Sequence, residues 1–423
     1  MDTTSENNAR FVIDGKKPQY VVYPESIDQV SEALRLVAAN ELSLVPVGEG
    51  GFLHIGGLPR RYDQALSLQR LNNIIDYQPT DMTVTVESGL TLAQLQAVLG
   101  EHGQWLPLDP PRPEHVTIGG MIATNLSGPA RLSQGTIRDF LIGLKVVTAD
   151  GTVVKSGGRV VKNVAGYDLM KLYCGSFGTL GVIVEATFKV RPRPEQQRVL
   201  AVRYPSATQA MEKVQHLLHT ELQPFFIELT NFAPLGEEGE TPSGGYLFVG
   251  FAGISEEVAY QHSRFLGMAG GDIQPDKDWQ EDTFLKLTNT LRDFPVAEDA
   301  LLRCKVSLLP SYIAGFWQKA EEEGRIREIA LRLLAHAGNG ILYVRVPRQD
   351  GVTQEKLLSF VDWLRILAKQ LGGYLIIEEI ASELKERVDV WGHIGNVFPL
   401  MKRLKETLDP KGILNPGRFV GGI

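Results

Sequence analysis

Apolar residues recur at two spacings along this chain, and the changes from one to the other mark its elements. Tyr20–Pro24 reads YVVYP, a short strand after a polar start at residues 1–15. Val30, Ala33, Leu34, Val37 and Ala38 then share one helical face, and Ser26 with Gln29 has the capping-box spacing that opens such a helix. Leu42–Val47, LSLVPV, reads as a buried strand running into a glycine loop, Gly48–Gly57. Met82–Gly89 alternates strictly, with Val84 and Val86 on one face. Thr91 and Gln94 repeat the capping-box spacing ahead of Leu92, Leu95, Val98 and Leu99, and Gly103 stands as the stop. Asp150-Gly151, between LKVVTA and TVVKS, is a hairpin turn signal. Val182, Val184, Ala186, Phe188 and Val190 alternate with Ile183, Glu185, Thr187, Lys189 and Arg191, which predicts a strand buried on one face.

Beyond Glu195 the texture changes. FFIELT, YLFVGFA, LLRCKVSLL, ILYVRV and YLIIEEI are strand-like and are separated by amphipathic helical runs. They predict a second α+β domain on a largely antiparallel sheet. Arg191–Glu195, RPRPE, is the linker, because its prolines interrupt regular structure. The expected divisions are a first domain over 16–195, a second over 196–405, and an irregular Pro- and Gly-containing tail over 406–423 that packs back on the first.

Charge and cysteine usage narrow the function classes. The net charge of -7, from 43 basic and 50 acidic residues, argues against nucleic acid as the main partner. The two cysteines, Cys174 and Cys304, are too few for a thiolate-held iron–sulfur cluster or a Cys-rich structural zinc site. They also speak against a disulfide framework, which fits a reducing compartment. The opening residues lack signal-peptide character, and no run of about 18 apolar residues is present. A cytoplasmic location is expected, with membrane contact only peripherally, through partners.

Glycines cluster between Leu108 and Pro194, at Gly119, Gly120, Gly128, Gly135, Gly158, Gly166, Gly175, Gly178 and Gly181. Residues without a Cβ let main chain approach a flat or charged ligand, and few charged side chains surround them. The Gly48–Gly57 loop is not a dinucleotide fingerprint: Leu53 takes the third glycine position, and LPRRYDQALSL does not open a helix. It has no Walker lysine either, although consecutive N–H groups there can cradle a pyrophosphate. The pattern favours a flavin; the alternative is that these glycines serve turns alone.

The segments TVTVESGLTLAQL, LPLDP, TIGGMIATNLSG, RDFLIGLKVVTADG, KNVAGYDLMKL, GSFGTLGVI and LDPKGILNPGRF occur in that order. Together they resemble the FAD-linked oxidases of the vanillyl-alcohol oxidase / PCMH type. KNVAGYDLMKLYCGSFGTLGV and VDVWG are most similar to the FAD-binding E-type subunits of bacterial glycolate dehydrogenases. The resemblance implies an α+β protein: a PCMH-type FAD-binding domain of two α+β subdomains, plus an α+β cap domain. Val47, Gly48, Glu49, Gly50, Gly51 and Phe52 match the family's pyrophosphate loop. Pro110, Thr117, Gly119, Gly120, Ala123, Asn125, Ser127 and Gly128 match contacts near the isoalloxazine and ribityl chain. Gly181, Val182 and Ile183 match the segment near the adenine half. Many relatives have Thr at the position of Gly51, and some attach flavin covalently through a His where this chain has Phe52. Non-covalent FAD is therefore implied, with His54 a surface or loop residue.

Related 2-hydroxy-acid dehydrogenases share a GHxGDGNxH motif and a later EHG, whose side chains gather around a metal and the substrate. Here the matching stretch keeps the first His as His336 but has Asn339 for the Asp and Tyr343 for the second His. Glu378 and Glu379 stand where Glu and His would. One imidazole and a carboxylate make a poor divalent site, so no metal is expected. His336 and Glu378 are the candidate catalytic residues. Against this stands a satisfied His336 near a helix end and solvated strand-edge carboxylates. Lys162, Tyr167 and Asp168 are further candidates to touch substrate or flavin, or simply open the helix DLMKLY. The resemblance implies a subunit that oxidises glycolate to glyoxylate, partnered by a homologous FAD-binding subunit and an iron–sulfur subunit. The rivals are a stand-alone dehydrogenase for D-lactate or another 2-hydroxy acid, and a flavoprotein scaffold that turns nothing over.

Overall fold

Capping chemistry sets where the first two helices begin. Ser26 Oγ accepts from the Gln29 N–H at 3.3 Å, and Gln29 Oε1 accepts from the Glu25 N–H at 2.8 Å, so α1 (Ile27–Ala39) opens there. Thr91 and Gln94 close a full capping box at 3.2 and 3.0 Å, opening α2 (Leu92–Gly100). The computed structural model describes residues 10–158, 168–234, 244–270, 272–273, 281–296 and 300–423. Its internal contacts separate two units: residues 1–127, 136–193 and 393–423 form one, residues 128–135 and 194–392 the other.

In the first unit, β1 (Tyr20–Val22), β2 (Leu44–Val47) and β3 (Gln64–Ser67) make a parallel sheet in the order β1-β3-β2. β4 (Ile74–Gln78), β5 (Thr83–Glu87), β6 (Gln104–Trp105), β7 (Leu141–Val147), β8 (Val153–Gly157), β9 (Val182–Lys189) and β10 (Arg191–Pro192) follow. Five of them form an antiparallel sheet in the order β4-β5-β9-β7-β8, and β10 pairs with β6. The Asp150-Gly151 turn joins β7 to β8, with Thr152 N–H donating to Asp150 Oδ1 at 3.0 Å.

β9 differs from its predicted one-sided burial. Lys145 pairs with Glu185 but Val146 pairs with Ile183, so Val184 is an extra residue and the strand turns its faces there. Val182 and Val184 join Val30, Leu34 and Val37 of α1 in one apolar cluster. Ile183, Ala186 and Phe188 join Val84, Val86 and Phe140 in another. Even Glu185 and Thr187 are buried, held by Lys145 Nζ at 2.6 Å and Thr85 Oγ1 at 3.0 Å. Each aliphatic side chain that α1 buries is worth about 1.5–3 kcal/mol.

The chain returns to this unit through the helix Phe398–Leu408 and its tail. Leu44 N–H donates to Ile413 O and Asn415 N–H donates to Leu44 O, both at 2.8 Å, so the tail lies along β2. The buried Lys405 ammonium donates to Thr179 O and Leu414 O at 2.8 Å and to Asp409 Oδ2 at 2.6 Å. A satisfied buried cation fixes the tail where a bare one would be expelled.

The second unit carries β11 (Gln196–Tyr204), β12 (Phe226–Thr230), β13 (Gly245–Gly253), β14 (Asp272–Ile273), β15 (Ala300–Ser307), β16 (Arg332–His336), β17 (Ile341–Pro347) and β18 (Tyr374–Ile380). They form one antiparallel sheet in the order β14-β11-β13-β12-β16-β17-β15-β18. All five strand-like runs read from the sequence are in it. One face packs its aliphatic residues under helices that include Ala207–Leu218, Ile313–Ile326 and Gln354–Gln370. The opposite face carries Phe226, Phe248, Leu334, Ile341 and Tyr343. Among the described residues no helix is long and apolar enough to cross a membrane.

Candidate functional site

A narrow crevice opens in the first unit, with a cavity volume of about 110 Å³. Its wall combines glycines with apolar side chains. β2 delivers the loop Val47–Phe52; β5 leads to Ser88; α3 (Ile118–Thr124) brings its first turn; Gly181 and Ile183 come from the entry of β9; Asn415 and Arg418 come from the tail. Thr117 caps α3, its Oγ1 accepting from the Gly120 N–H at 3.2 Å. A methyl group at Gly48 would run into the Thr117 side chain, so that glycine serves the wall's own packing. Gly120 differs: an added Cβ would meet only Thr117 Oγ1, at 3.1 Å, and a longer side chain there grows into the crevice.

The crevice has the polarity a flavin dinucleotide needs. Its walls are largely apolar, and Ser88 Oγ and Asn415 Oδ1, both buried, find no hydrogen-bond partner among the described residues. Arg418 is clamped beside it, donating to Leu53 O and Ile55 O at 2.7 Å and to Gly57 O at 3.0 Å, with Asp14 at 3.6 Å. Burial draws the guanidinium down to about 10, offset by Asp14, so it stays charged at neutral pH. The following turn of the glycine loop is thus held from the tail.

Of the residues matched to flavin contacts, Val47, Gly48, Glu49, Gly50, Gly51, Phe52, Thr117, Gly119, Gly120, Ala123, Gly181 and Ile183 line the crevice together. Five lie off its wall. Val182 points into the cluster under α1, Asn125 ends α3 in a left-handed conformation, and Pro110 and Ser127 are buried. Gly128 begins the short segment that belongs to the second unit. Ser88, His115, Phe177, Asn415 and Arg418 line the crevice without having been flagged. Asn415 and Arg418 sit in the NPGR stretch, whose Pro and Gly mark it as irregular but not as a wall. His54 is a half-buried loop residue. Lys162 and Tyr167 lie outside the described residues, and Asp168 is paired with Lys171 at 2.7 Å on the surface.

The second unit brings ionisable side chains onto one sheet face. His336 ends β16, a strand and not the helix end considered from sequence, and is 2 % exposed. Its acid partner is Glu228 of β12, not Glu378: Nδ1 lies 2.7 and 2.8 Å from the two carboxylate oxygens. Nε2 is buried with no partner among the described residues. The Tyr343 ring stands edge-on to the imidazole, centroids 5.5 Å apart. Burial and the charges of Glu378 and Glu228 push the Tyr343 phenol well above its ordinary range, so it keeps its proton. Glu378 is buried where β18 slips register against β15; burial raises its carboxyl, opposed by Lys305 and Arg303. Glu379 instead pairs with Arg303. Asn339 closes the β16–β17 turn, Oδ1 accepting from Ile341 N–H at 3.3 Å. Among the described residues no three His, Cys, Asp or Glu side chains stand together to hold a metal ion.

A model of the FAD binding domain matches residues 18–157, and a model of the FAD linked oxidases' C-terminal domain matches residues 193–419. The chain is similar to glycolate oxidase subunit GlcD of Bacillus subtilis, 28% identical over 95% of this chain and 89% of that one. It is 29% identical to a D-lactate dehydrogenase of Archaeoglobus fulgidus, over 95% of this chain and 91% of that one. Glycolate oxidase subunit GlcE of Escherichia coli is 40% identical over a shorter stretch, 38% of this chain and 45% of GlcE. The fold is that of a solved alkyldihydroxyacetonephosphate synthase, TM-score 0.71 at 19% identity, covering 96% of this chain and 78% of that one.

Proposed function

The chain belongs to the FAD-linked oxidases, and on that premise we propose that it is the FAD-carrying subunit of a glycolate dehydrogenase, oxidising glycolate to glyoxylate and passing electrons to an iron–sulfur partner. FAD is its cofactor. When bound, FAD supplies the two-electron acceptor for the hydride that leaves the carbon bearing the alcohol. The glycine loop, Thr117–Ala123, Gly181 and Asn415 would hold it non-covalently. The protein's own chemistry is proton transfer: His336 Nε2 is a base without a partner, while Lys305 and Arg345 share its sheet face and suit a substrate carboxylate. The observation that supports the glycolate reading is the 40% identity to GlcE, confined to 38% of this chain and 45% of GlcE.

A second reading, a stand-alone D-lactate or other 2-hydroxy-acid dehydrogenase, draws on the near full-length match to those relatives. One experiment separates them. The purified holoprotein is mixed without oxygen with glycolate, D-lactate or D-2-hydroxyglutarate, and the visible flavin spectrum is followed. Bleaching by glycolate in preference to the others is expected. Preferential bleaching by D-lactate upholds the second reading, and a flavin inert to all three leaves a partner-dependent subunit or a scaffold.

A further inference from the structure

A groove of about 870 Å³ runs along the outer edge of the parallel sheet in the first unit, between β1 and α1. Its volume is within the ~300–1,000 Å³ range of binding clefts. None of its lining residues belongs to the cofactor crevice. β1 is the edge strand, bonded to β3 on one side. Tyr20 N–H donates to Asp63 O at 3.1 Å, and successive residues of a strand turn their main-chain groups to opposite sides. Val21 N–H and C=O therefore face away from β3, on the groove side.

Gln64 of β3 lies in register with Tyr20 and Leu44, and Leu44 packs in the cluster under α1. The Gln64 side chain thus shares the α1 face of the sheet, where it lines the groove. It is 7% exposed, and its carboxamide has no hydrogen-bond partner among the described residues. A buried amide without a partner destabilises a fold, so its place at a cavity points to a partner that arrives from outside. α1 faces the groove with Gln29, Glu32, Leu36 and Asn40, and its 13 residues run about 20 Å, the span of roughly six extended residues. Tyr20 and Leu36 line it while 47% and 53% exposed, apolar surface that a covering chain would bury. Arg70 is engaged by Glu25 at 2.7 Å and lies over the Tyr23 ring. Glu32 is left as a charge of the groove without an ion pair among the described residues.

We propose that this groove receives an extended segment of another protein, which adds to the open edge of β1, meets Gln64 with a polar side chain and sets a basic side chain against Glu32. Main-chain pairing at Val21 supplies the attachment; Gln64 and Glu32 supply the choice of sequence. The proposal is independent of the flavin chemistry.

The test uses the purified full-length holoprotein and a fluorescein-labelled hexapeptide, Thr-Val-Lys-Val-Thr-Val, followed by anisotropy. Saturable binding is expected with Kd on the order of 100 μM. It should weaken about tenfold when Glu replaces the lysine, and vanish when alternate peptide amides are N-methylated. Glu32→Lys should reverse the preference for lysine over glutamate. Gln64→Met should weaken binding about tenfold yet melt at or above the wild-type temperature, because the amide it removes has no partner to lose. FAD content should match wild type in both variants, since neither residue lines the crevice. No saturable binding up to about 5 mM overturns the proposal, as does indifference to N-methylation or an unreversed preference in Glu32→Lys. A Gln64→Met variant that melts lower and binds as wild type overturns the part given to Gln64. A wild-type dimer that the peptide dissociates makes a second copy the occupant and overturns the foreign segment.

Discussion

The crevice of the first unit is walled by glycines and largely apolar side chains, whereas the ionisable groups of the second unit come from five neighbouring strands, β12, β16, β17, β15 and β18. The first recognises shape; the second holds charge in chosen places. A close apolar wall tolerates conservative exchange but is destroyed by bulk. A charged face keeps its shape under isosteric exchange but loses its chemistry. That contrast gives each region a distinct mode of failure.

The most damaging change expected is Gly120→Arg, which places a long side chain in the crevice. It should reduce bound FAD to under about a tenth of wild type, with the second unit still folded by circular dichroism and proteolysis. Retained flavin would mean the crevice is not the cofactor's seat. His336→Gln should do the reverse, keeping FAD while slowing anaerobic reduction by about 10³-fold, as loss of a general base does. Arg418→Ala falls between the two regions in kind. It strands three loop carbonyls, Leu53, Ile55 and Gly57, and should cost on the order of 3 kcal/mol in denaturant unfolding and weaken FAD affinity about tenfold. An unchanged affinity would show that the tail shapes the fold and not the cofactor wall.

Glu378→Gln is the smallest and tests the charged face through pH. Burial raises the native carboxyl above its unfolded value, so stability is fully present below the unfolded pKa and is lost as pH rises through the folded one. The variant should therefore melt about 2–4 °C above wild type at pH 8, roughly 1 kcal/mol, and equal it near the unfolded value of about 4.3. A variant that melts lower at pH 8 would mean that Lys305 and Arg303 outweigh the burial.

Much of the first region was legible because its chemistry is local in sequence. The loop Val47–Phe52 and the stretch Thr117–Ala123 each carry their glycines within a few residues, and the capping boxes mark the neighbouring helices. What escaped came from far along the chain or from a break in period. Ser88, Asn415 and Arg418 reach the crevice by tertiary packing, which no spacing records. The extra residue at Val184 turned β9 over, so strict alternation misjudged its burial. In the second region the strands themselves were readable, but the partner of His336 was not. Glu228 reads simply as a polar residue in an apolar strand, and only the pairing of β12 with β16 gives it a role.

The path of the tail has a consequence for biosynthesis. Asn415 and Arg418 complete a wall begun at Val47, and the ribosome makes them only after residues 194–392 of the second unit. A nascent first unit has both of its main sheets in hand yet stands open along β2 until then. If FAD sits in this crevice as proposed, its loading is expected to be a late event, and a chain interrupted before Asn415 is expected to lack a finished berth for it.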